Sequence, residues 1–378
     1  MRDLLPVSVV FGRGCVSGVA SAVPGRRPML VCSSGSGTRA AREAVATALD
    51  EVGLDYIRFD GAGSNPKLAS IDEGAAAAVS AGCDCVVAVG GGSQLDAGKA
   101  MAMVAASGGS IRDYTGGRAS APEVRALPVV AVATTCGTGS EVNGICVLTD
   151  EVTHDKAGVT SSAVVPVKAF VDPALMETMP PKVLASVTYD TLCHLVESYL
   201  SSASTPTTDE ICRRGLRCLS ESLLPANRGD SASLDRVAMA STAAGVAIFT
   251  AGTTAGHAIE HPLSGLKDIP HGEGLAAVSP AIYRIGDPSE FRGAAMLLNR
   301  EGESLASVME SISADLGLDR TLSDLGFGAD DIPWLTGSAI RNRGSKLSRH
   351  PVKLSEEDIH SIYAESLRFP HARESNLL

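Results

Sequence analysis

The sequence predicts a chain in two parts, an N-terminal α/β part built on a parallel sheet covered by helices and an all-α C-terminal part. From Pro28 to about Val171, short β-rich runs alternate with Ala-rich helical ones, as successive strand-helix-strand units require. From about Pro180 onward, long helical periods with few strand signals take over. Pro173, Pro180 and Pro181 cluster between the two regimes, so the parts are read as residues 1–178 and 179–378.

In the first part, residues 29–32 and 56–59 read as strands and residues 38–51 and 68–81 as helices. Residues 85–89 form a strand that runs straight into Gly90-Gly91-Gly92-Ser93-Gln94-Leu95-Asp96, and a helix continues over 100–106. A strand, a glycine loop and a helix start in that order bring bare N–H groups and the helix dipole to one point, where a pyrophosphate can bind. Ser93 and Asp96 also fit a capping box by their spacing alone. The loop matches neither G-x-G-x-x-G nor the Walker A pattern, so by itself it is a weak nucleotide signal. A strand over 127–133 leads into a second polar loop, Thr134-Thr135-Cys136-Gly137-Thr138-Gly139-Ser140-Glu141, at the end of the sheet where ligands bind in open α/β folds. Residues 145–149 and 164–171 read as further strands, and Asp172-Pro173 closes the sheet region.

The second part reads as helices over 182–200, 209–224, 233–260 with a break at Gly245, 274–285, 302–316 and 356–367. It holds the densest ligand chemistry in the chain, with three of the eight histidines in the fifteen residues His257 to His271. If residues 248–260 are helical, His257 and His261 stand one turn apart and Pro262 closes the helix; His271 then returns from a loop. Upstream, Asp190 and His194 are also spaced i, i+4. One carboxylate and two or three imidazoles converging from two helices and a loop suit a divalent iron or zinc ion with one position left for substrate. Each pair alone would favour an ordinary hydrogen-bonded histidine, and Ala258 stands where a metalloprotease motif needs glutamate.

Composition bounds these readings. With 378 residues, 44% hydrophobic and 20% charged, the chain has the make-up of a globular protein with two cores. A net charge of −11 argues against nucleic acid or an anionic membrane as the main partner. Nine cysteines form no CxxC and no repeated spacing, which speaks against a disulfide framework. The start, Met1-Arg2-Asp3-Leu4-Leu5-Pro6, lacks the apolar core of a signal peptide, and no apolar run reaches the ~18 residues of a membrane span, so a cytoplasmic location is expected.

With these segments in place, the chain resembles the iron-containing (group III, metal-dependent) alcohol dehydrogenases over nearly its full length. The motifs that carry the resemblance run in the family's order: Gly90-Gly-Gly-Ser93-x-x-Asp96-x-x-Lys99, Thr134 to Glu141, Val171-Asp-Pro-Ala-Leu175, Asp190-x-x-x-His194-x-x-Glu197, and His257 through His271-Gly272. The resemblance implies a Rossmann-like dinucleotide-binding domain followed by an all-α metal-binding domain, the dehydroquinate synthase-like fold, with catalysis in the cleft between. It implies that Asp190, His194, His257 and His271 hold the metal, Fe²⁺ or Zn²⁺, and that Gly91, Gly92 and Ser93 cradle the pyrophosphate. It implies further that Asp96, Thr134, Thr135 and Thr138 line the cofactor site. The sequence departs from the commonest family pattern at Thr188-Tyr189, before the first ligand, and at Leu266-Lys267, where aromatic residues are frequent. Both changes border the expected substrate pocket.

The implied chemistry is hydride transfer between nicotinamide and a carbonyl carbon, with His261 as proton relay or as a residue that orients a ligand. NADPH is read ahead of NADH, because the turn Ser33-Ser34-Gly35-Ser36-Gly37-Thr38-Arg39 has no acid for the ribose 2′-OH, while Ser34, Ser36 and Arg39 could receive a 2′-phosphate. The substrate is read as a short aldehyde with an anionic group, such as phosphonoacetaldehyde or a semialdehyde. That reading rests on Lys267 inside the metal-binding loop and on Arg341, Arg343, Lys346 and Arg349 near the cleft mouth. The alternatives are simple neutral aldehydes and alcohols, a dehydroquinate-synthase-like lyase or cyclase, and a non-catalytic sensor. The expected partners are this small molecule and a second copy of the chain, with neither nucleic acid nor membrane.

Overall fold

The structure is a computed structural model that describes residues 7–115, 123–300 and 302–368. The first part holds β1 (Ser8–Phe11), β2 (Pro28–Val31), α1 (Arg39–Glu51), β3 (Ile57–Phe59), α2 (Leu68–Ser80), β4 (Cys85–Gly90), α3 (Gly92–Ser107), α4 (Ile111–Thr115), β5 (Val129–Ala133), β6 (Ile145–Thr149), β7 (Lys156–Thr160) and β8 (Lys168–Val171). The second part comprises α5 (Pro173–Met176), α6 (Pro181–Leu200), α7 (Pro206–Asn227), α8 (Ser231–Ala251), α9 (Ala255–Lys267), α10 (His271–Ile282), α11 (Arg292–Leu297), α12 (Leu305–Asp315), α13 (Ile332–Leu347) and α14 (Glu356–Ser366).

Six strands form one parallel sheet in the order β1-β8-β5-β4-β2-β3. The period-2 rule explains why its strands read as unbroken apolar runs. Val86 and Ala88 of β4 pack on the face covered by α2 and α3, whereas Val87 and Val89 pack on the α1 face with Leu30, Val130 and Phe170. From β2 the chain goes outward to β3, then crosses to β4 and runs the other way through β5 to β8. The loops after β2 and β4 therefore flank the switch point, where a Rossmann-like sheet opens a ligand crevice.

Several boundaries differ from the sequence reading. Residues 145–149 form a strand, but it pairs antiparallel with β7 in a separate two-stranded sheet that the sequence reading lacks. Also unread were β1, which adds to the sheet through β8, and α13. Only residues 168–171 of the strand read over 164–171 pair in the sheet, because Ser162–Val164 make a 3₁₀ turn capped by Ser161. Helix α8 runs past Gly245 and stops at Gly252, whose φ of 75° ends it. Pro262 does not close α9, which continues to Lys267. Ser93 and Asp96 form no capping box: α3 begins at Gly92, and the Gln94 side chain accepts the Gly91 N–H at 3.2 Å.

The 21-residue α8 is long and apolar enough to cross a membrane. Here it is a core helix instead, with Leu234, Val237, Ala244 and Ala247 buried in the main apolar cluster. Where it meets the α/β part, Gly139 (φ 59°) and Gly245 bring two backbones together so closely that a Cβ on either would collide with the other's backbone. Asn143 Nδ2 fastens that crossing by donating to Gly139 O at 3.0 Å and to Gly245 O at 3.4 Å.

Candidate metal and cofactor site

A cavity of about 710 Å³ opens between the sheet's loops and the helices, and it contains both the glycine loop and the histidine cluster. At its inner end α6 supplies Asp190 and His194, α9 supplies His257 and His261, and the first residue of α10 is His271. Ligand atoms of Asp190, His257 and His271 all lie within 4.8 Å of one another. His194 stacks on His257 with ring centroids 4.5 Å apart, and its Nδ1 is 3.6 Å from Asp190 Oδ1. His261 borders the same group, 5.9 Å from the His257 ring and 5.4 Å from the His271 ring.

Each of the three imidazoles His194, His257 and His271 is held from behind through Nδ1. His194 donates to Gly137 O at 3.2 Å, His257 donates to Glu197 Oε1 at 2.6 Å, and His271 donates to Glu260 Oε2. Those contacts fix the tautomer and turn the Nε2 lone pairs of His257 and His271 toward Asp190, at 3.4 Å and 3.7 Å, as histidine ligation of a metal requires, while His194 brings its Nδ1 nearest to that carboxylate. The outcome is electrostatically incomplete without a cation. His257 Nε2 and Asp190 Oδ1 face each other across 3.4 Å, both buried and neither hydrogen-bonded. Two acceptors in that position repel unless a proton or a metal ion lies between them, so the donor set fits a divalent ion of the iron or zinc kind that would take the proton's place.

The acid-base balance of the cluster follows from its burial. Burial pulls His194 down to about 4 against the pull of Asp190. Burial also disfavours charge on His257, but Glu197 and Asp190 outweigh it and lift that imidazole to about 9. Asp190 is pushed up by burial and carried well below the usual carboxylate range by His194, His271 and His257. Glu197 is likewise held at about 2, because its burial is outweighed by His257 and by the Thr254 N–H.

At the outer end Gly92, Ser93, Asp96 and Thr138 line the cavity. A Cβ at Gly92 would stand 2.5 Å from Thr138 Cγ2, so only glycine lets the two loops close on each other there. Asp96 reaches the wall, but both its oxygens are committed: Ser140 Oγ donates to Oδ1 at 2.5 Å and the Val147 N–H to Oδ2 at 2.8 Å. Beside it the buried Lys99 ammonium donates to Ser140 Oγ at 2.6 Å and Ile145 O at 2.5 Å, which pins α3 to the second loop. Gly91, Thr134 and Thr135 back that loop from outside the cavity wall, and the Thr134 N–H donates to Gly90 O at 2.9 Å.

Other residues named from the sequence are not brought to this wall. Ser34 and Ser36 are exposed on the loop after β2. Arg39 turns outward to pair with Glu43 at 2.8 Å, because its place in the first turn of α1 sets an i, i+4 partner within reach. Arg42 is the cation that returns to this loop, where it donates to Ser33 O. Lys267 is likewise a correction. Its ammonium donates to Gly326 O at 2.6 Å and Asp331 Oδ2 at 2.7 Å and lies over the Phe327 ring, so it serves the last turn of α9 and not the cavity. Arg341 is exposed, and the Arg343 side chain lies outside the described residues. Lys346 and Arg349 do line the cavity.

Two residues of the site escaped the sequence reading. Glu260, fully buried behind His271, looks in sequence like any helical acid beside a histidine. Lys156 lines the cavity from the unread strand β7, where burial, partly opposed by Glu260, brings its ammonium down to about 8. Its one visible signal was a lysine opening a short β-rich run.

Comparison with known proteins agrees with this geometry across both parts. The family model described as iron-containing alcohol dehydrogenase matches residues 6–173, and that of the Fe-containing alcohol dehydrogenase family, C-terminal, matches residues 184–367. The chain is 32% identical to 1,3-propanediol dehydrogenase of Citrobacter freundii over 96% of its own length and 98% of the relative's. Among solved structures it is similar to an archaeal halo-thermophilic Red Sea brine pool alcohol dehydrogenase, with a TM-score of 0.89 at 30% identity over 96% of this chain and 98% of that one. It is also similar to sulfoacetaldehyde reductase from Bifidobacterium kashiwanohense in complex with NAD⁺, with a TM-score of 0.84 at 26% identity and the same coverage. Matches that span both halves, on a fold whose cleft joins a glycine loop to a histidine cluster, make this chain an oxidoreductase of the iron-containing alcohol dehydrogenase family.

Proposed function

We propose that the protein catalyses metal-dependent, NAD(P)H-linked reduction of a short aldehyde to its alcohol, with an anionic aldehyde preferred to a neutral one such as butanal. The observation that carries the reading is the set of three imidazoles, each held through Nδ1, facing one buried carboxylate at the inner end of a cavity whose outer end is the glycine loop.

Asp190, His194, His257 and His271 are the residues that would hold the metal, and Gly92, Ser93 and Thr138 those that would meet the cofactor. When bound, a divalent ion supplies Lewis-acid polarisation of a carbonyl, worth several kcal/mol as charge develops on oxygen, and the nicotinamide supplies hydride. The protein's own part is positional. Gly137 O, Glu197 and Glu260 keep protons on the three Nδ1 atoms, so each imidazole would meet the ion as a neutral donor once its other nitrogen is deprotonated, and one carboxylate would leave the ion a net positive charge. His261, buried against His257 and His271, is placed to pass a proton to the product oxygen through its ring nitrogens.

For the cofactor the reading is NADPH. No acidic residue occupies the loop after β2, Ser34 and Ser36 present hydroxyls there, and Arg42 in place of Arg39 is the cation turned toward it. The Bifidobacterium relative's complex with NAD⁺ makes NADH the competing reading.

The test is metal analysis of protein purified anaerobically, followed by an aldehyde panel assayed with NADH and NADPH. One equivalent of iron or zinc and net oxidation of the cofactor are expected. Metal-loaded protein that binds cofactor without any net turnover would reject the proposal in favour of a dehydroquinate-synthase-like cycle, which regenerates its cofactor.

A further inference from the structure

We infer that Lys346 and Arg349 form an anion-binding subsite beside the histidine cluster, which takes the carboxylate, sulfonate or phosphonate end of a short aldehyde; this rests on the aldehyde-reductase reading of the site. Both residues line the cavity, Lys346 from the last turn of α13 and Arg349 from just beyond it.

Lys346 is placed by a chain of contacts that leads to the cluster. Its ammonium donates to Thr253 Oγ1 at 2.7 Å. The next residue, Thr254, donates its N–H at 2.6 Å to Glu197, which holds His257 Nδ1. Thr253 and His257 lie four residues apart at the start of α9 and both line the cavity, so the ammonium and an imidazole that faces Asp190 open onto the same space.

Arg349 is placed by glycine. Its guanidinium lies where a Cβ on Gly252 would be, and Gly252 ends α8 with a φ of 75°, so one glycine both turns the chain and leaves the guanidinium its room. The Arg349 carbonyl accepts the Ser202 N–H at 2.9 Å, which anchors this segment to the end of α6. Among the described residues Arg349 makes no ion pair.

The carboxylates around these two cations have partners of their own, and Glu197, which feels the Lys346 ammonium, is engaged by His257 and the Thr254 N–H. Asp96 is bound by Lys99, Ser140 and Val147, Asp150 by Arg112 at 2.6 Å, and Asp155 by Ser338. Asp190 belongs to the metal set. The subsite comes from the end of α13, held against the loop between α8 and α9, whereas the pyrophosphate cradle is the loop between β4 and α3. A guanidinium suits two oxygens of one oxyanion in a forked contact, and an ammonium adds a point charge. An oxyanion gripped there fixes the far end of a short substrate while its carbonyl lies at the histidines, so remote binding orients the reacting carbon.

The test uses metal-loaded protein and compares kcat/KM for succinic semialdehyde, sulfoacetaldehyde and phosphonoacetaldehyde with that for butanal, in wild type, Lys346→Met and Arg349→Met. The wild type is expected to prefer at least one anionic aldehyde by more than about 10-fold, and each substitution to lower that ratio by about 10-fold or more, the scale of one lost hydrogen bond to a charged group. The aldehyde that falls most identifies the oxyanion. Calorimetric binding of butyrate, ethanesulfonate and ethylphosphonate with cofactor present gives a second readout, in which Kd should rise by about the same factor in the variants. Turnover of butanal with no anionic preference, or a ratio unchanged by both substitutions, overturns the subsite and leaves the aldehyde-reductase reading standing. No turnover of any aldehyde overturns the aldehyde-reductase reading, and the binding measurement then decides the subsite alone: equal Kd in wild type and variants sinks it.

Discussion

Glu197 Oε1 lies 2.6 Å from His257 Nδ1, and this contact decides which nitrogen of His257 faces Asp190. Both residues are buried, and Glu197 is itself fixed by the Thr254 N–H at 2.6 Å, so its position is set by the backbone at the start of α9. Glu197→Gln keeps the volume but removes the charge that favours a proton on Nδ1. Metal affinity is expected to fall about 10- to 100-fold, measured by chelator competition with Fe²⁺ or Zn²⁺. Unchanged affinity would assign Glu197 to packing only.

The ligand set and the proton relay separate cleanly in a pair of variants. His271→Ala should lose stoichiometric metal and turnover together, whereas His261→Ala should keep its metal and lose about 10²-fold or more in kcat, with an altered pH profile. Metal content by plasma emission beside steady-state rates checks both. Loss of metal in His261→Ala would move that residue into the ligand set.

A backbone crossing holds the two parts of the chain together at Gly139 and Gly245. Neither neighbour is a flexible side chain that can move aside, so Gly245→Ala should cost about 1–3 kcal/mol or more through overpacking, in spite of the higher helix propensity of alanine. Urea unfolding with fluorescence detection reads the loss. A stabilised variant would show that the crossing relaxes at no cost.

His350 makes stability depend on pH. It is buried against Phe291 and Tyr283, its Nδ1 is 3.3 Å from Thr254 Oγ1, and burial brings it down to about 4 against a smaller pull upward from Glu197. The unfolded chain, with an imidazole near 6.5, binds more protons between pH 4 and 6.5, so stability rises with pH through that window and is lost as pH falls through it. Relative to His350→Gln, the wild type should lose about 2 kcal/mol between pH 7.5 and pH 5. Parallel urea melts of the two proteins over that range supply the comparison, and equal slopes would refute it.

By itself the sequence determined what is local. Periodicity marked most of the elements, the glycine loop marked the nucleotide end, and the i, i+4 spacings put Asp190 with His194 and His257 with His261 on shared helix faces, because 3.6 residues per turn fixes those relations before any packing. Two edge elements stayed hidden, since no long helical run follows either β1 or β7 to mark a strand-helix unit, and only pairing with β8 and β6 makes them strands. The direction of long charged side chains was decided by the tertiary structure alone. Lys267 and Lys346 read alike in sequence, yet Asp331, Gly326 and Phe327 draw the first away from the cleft, while Thr253 holds the second beside the histidines. Arg39 and Arg42, three residues apart, part in the same way, one to Glu43 and one back to Ser33. A lysine or arginine reaches several partners from one backbone position, so its role belongs to whichever acceptor the fold places within reach, often one distant in the chain.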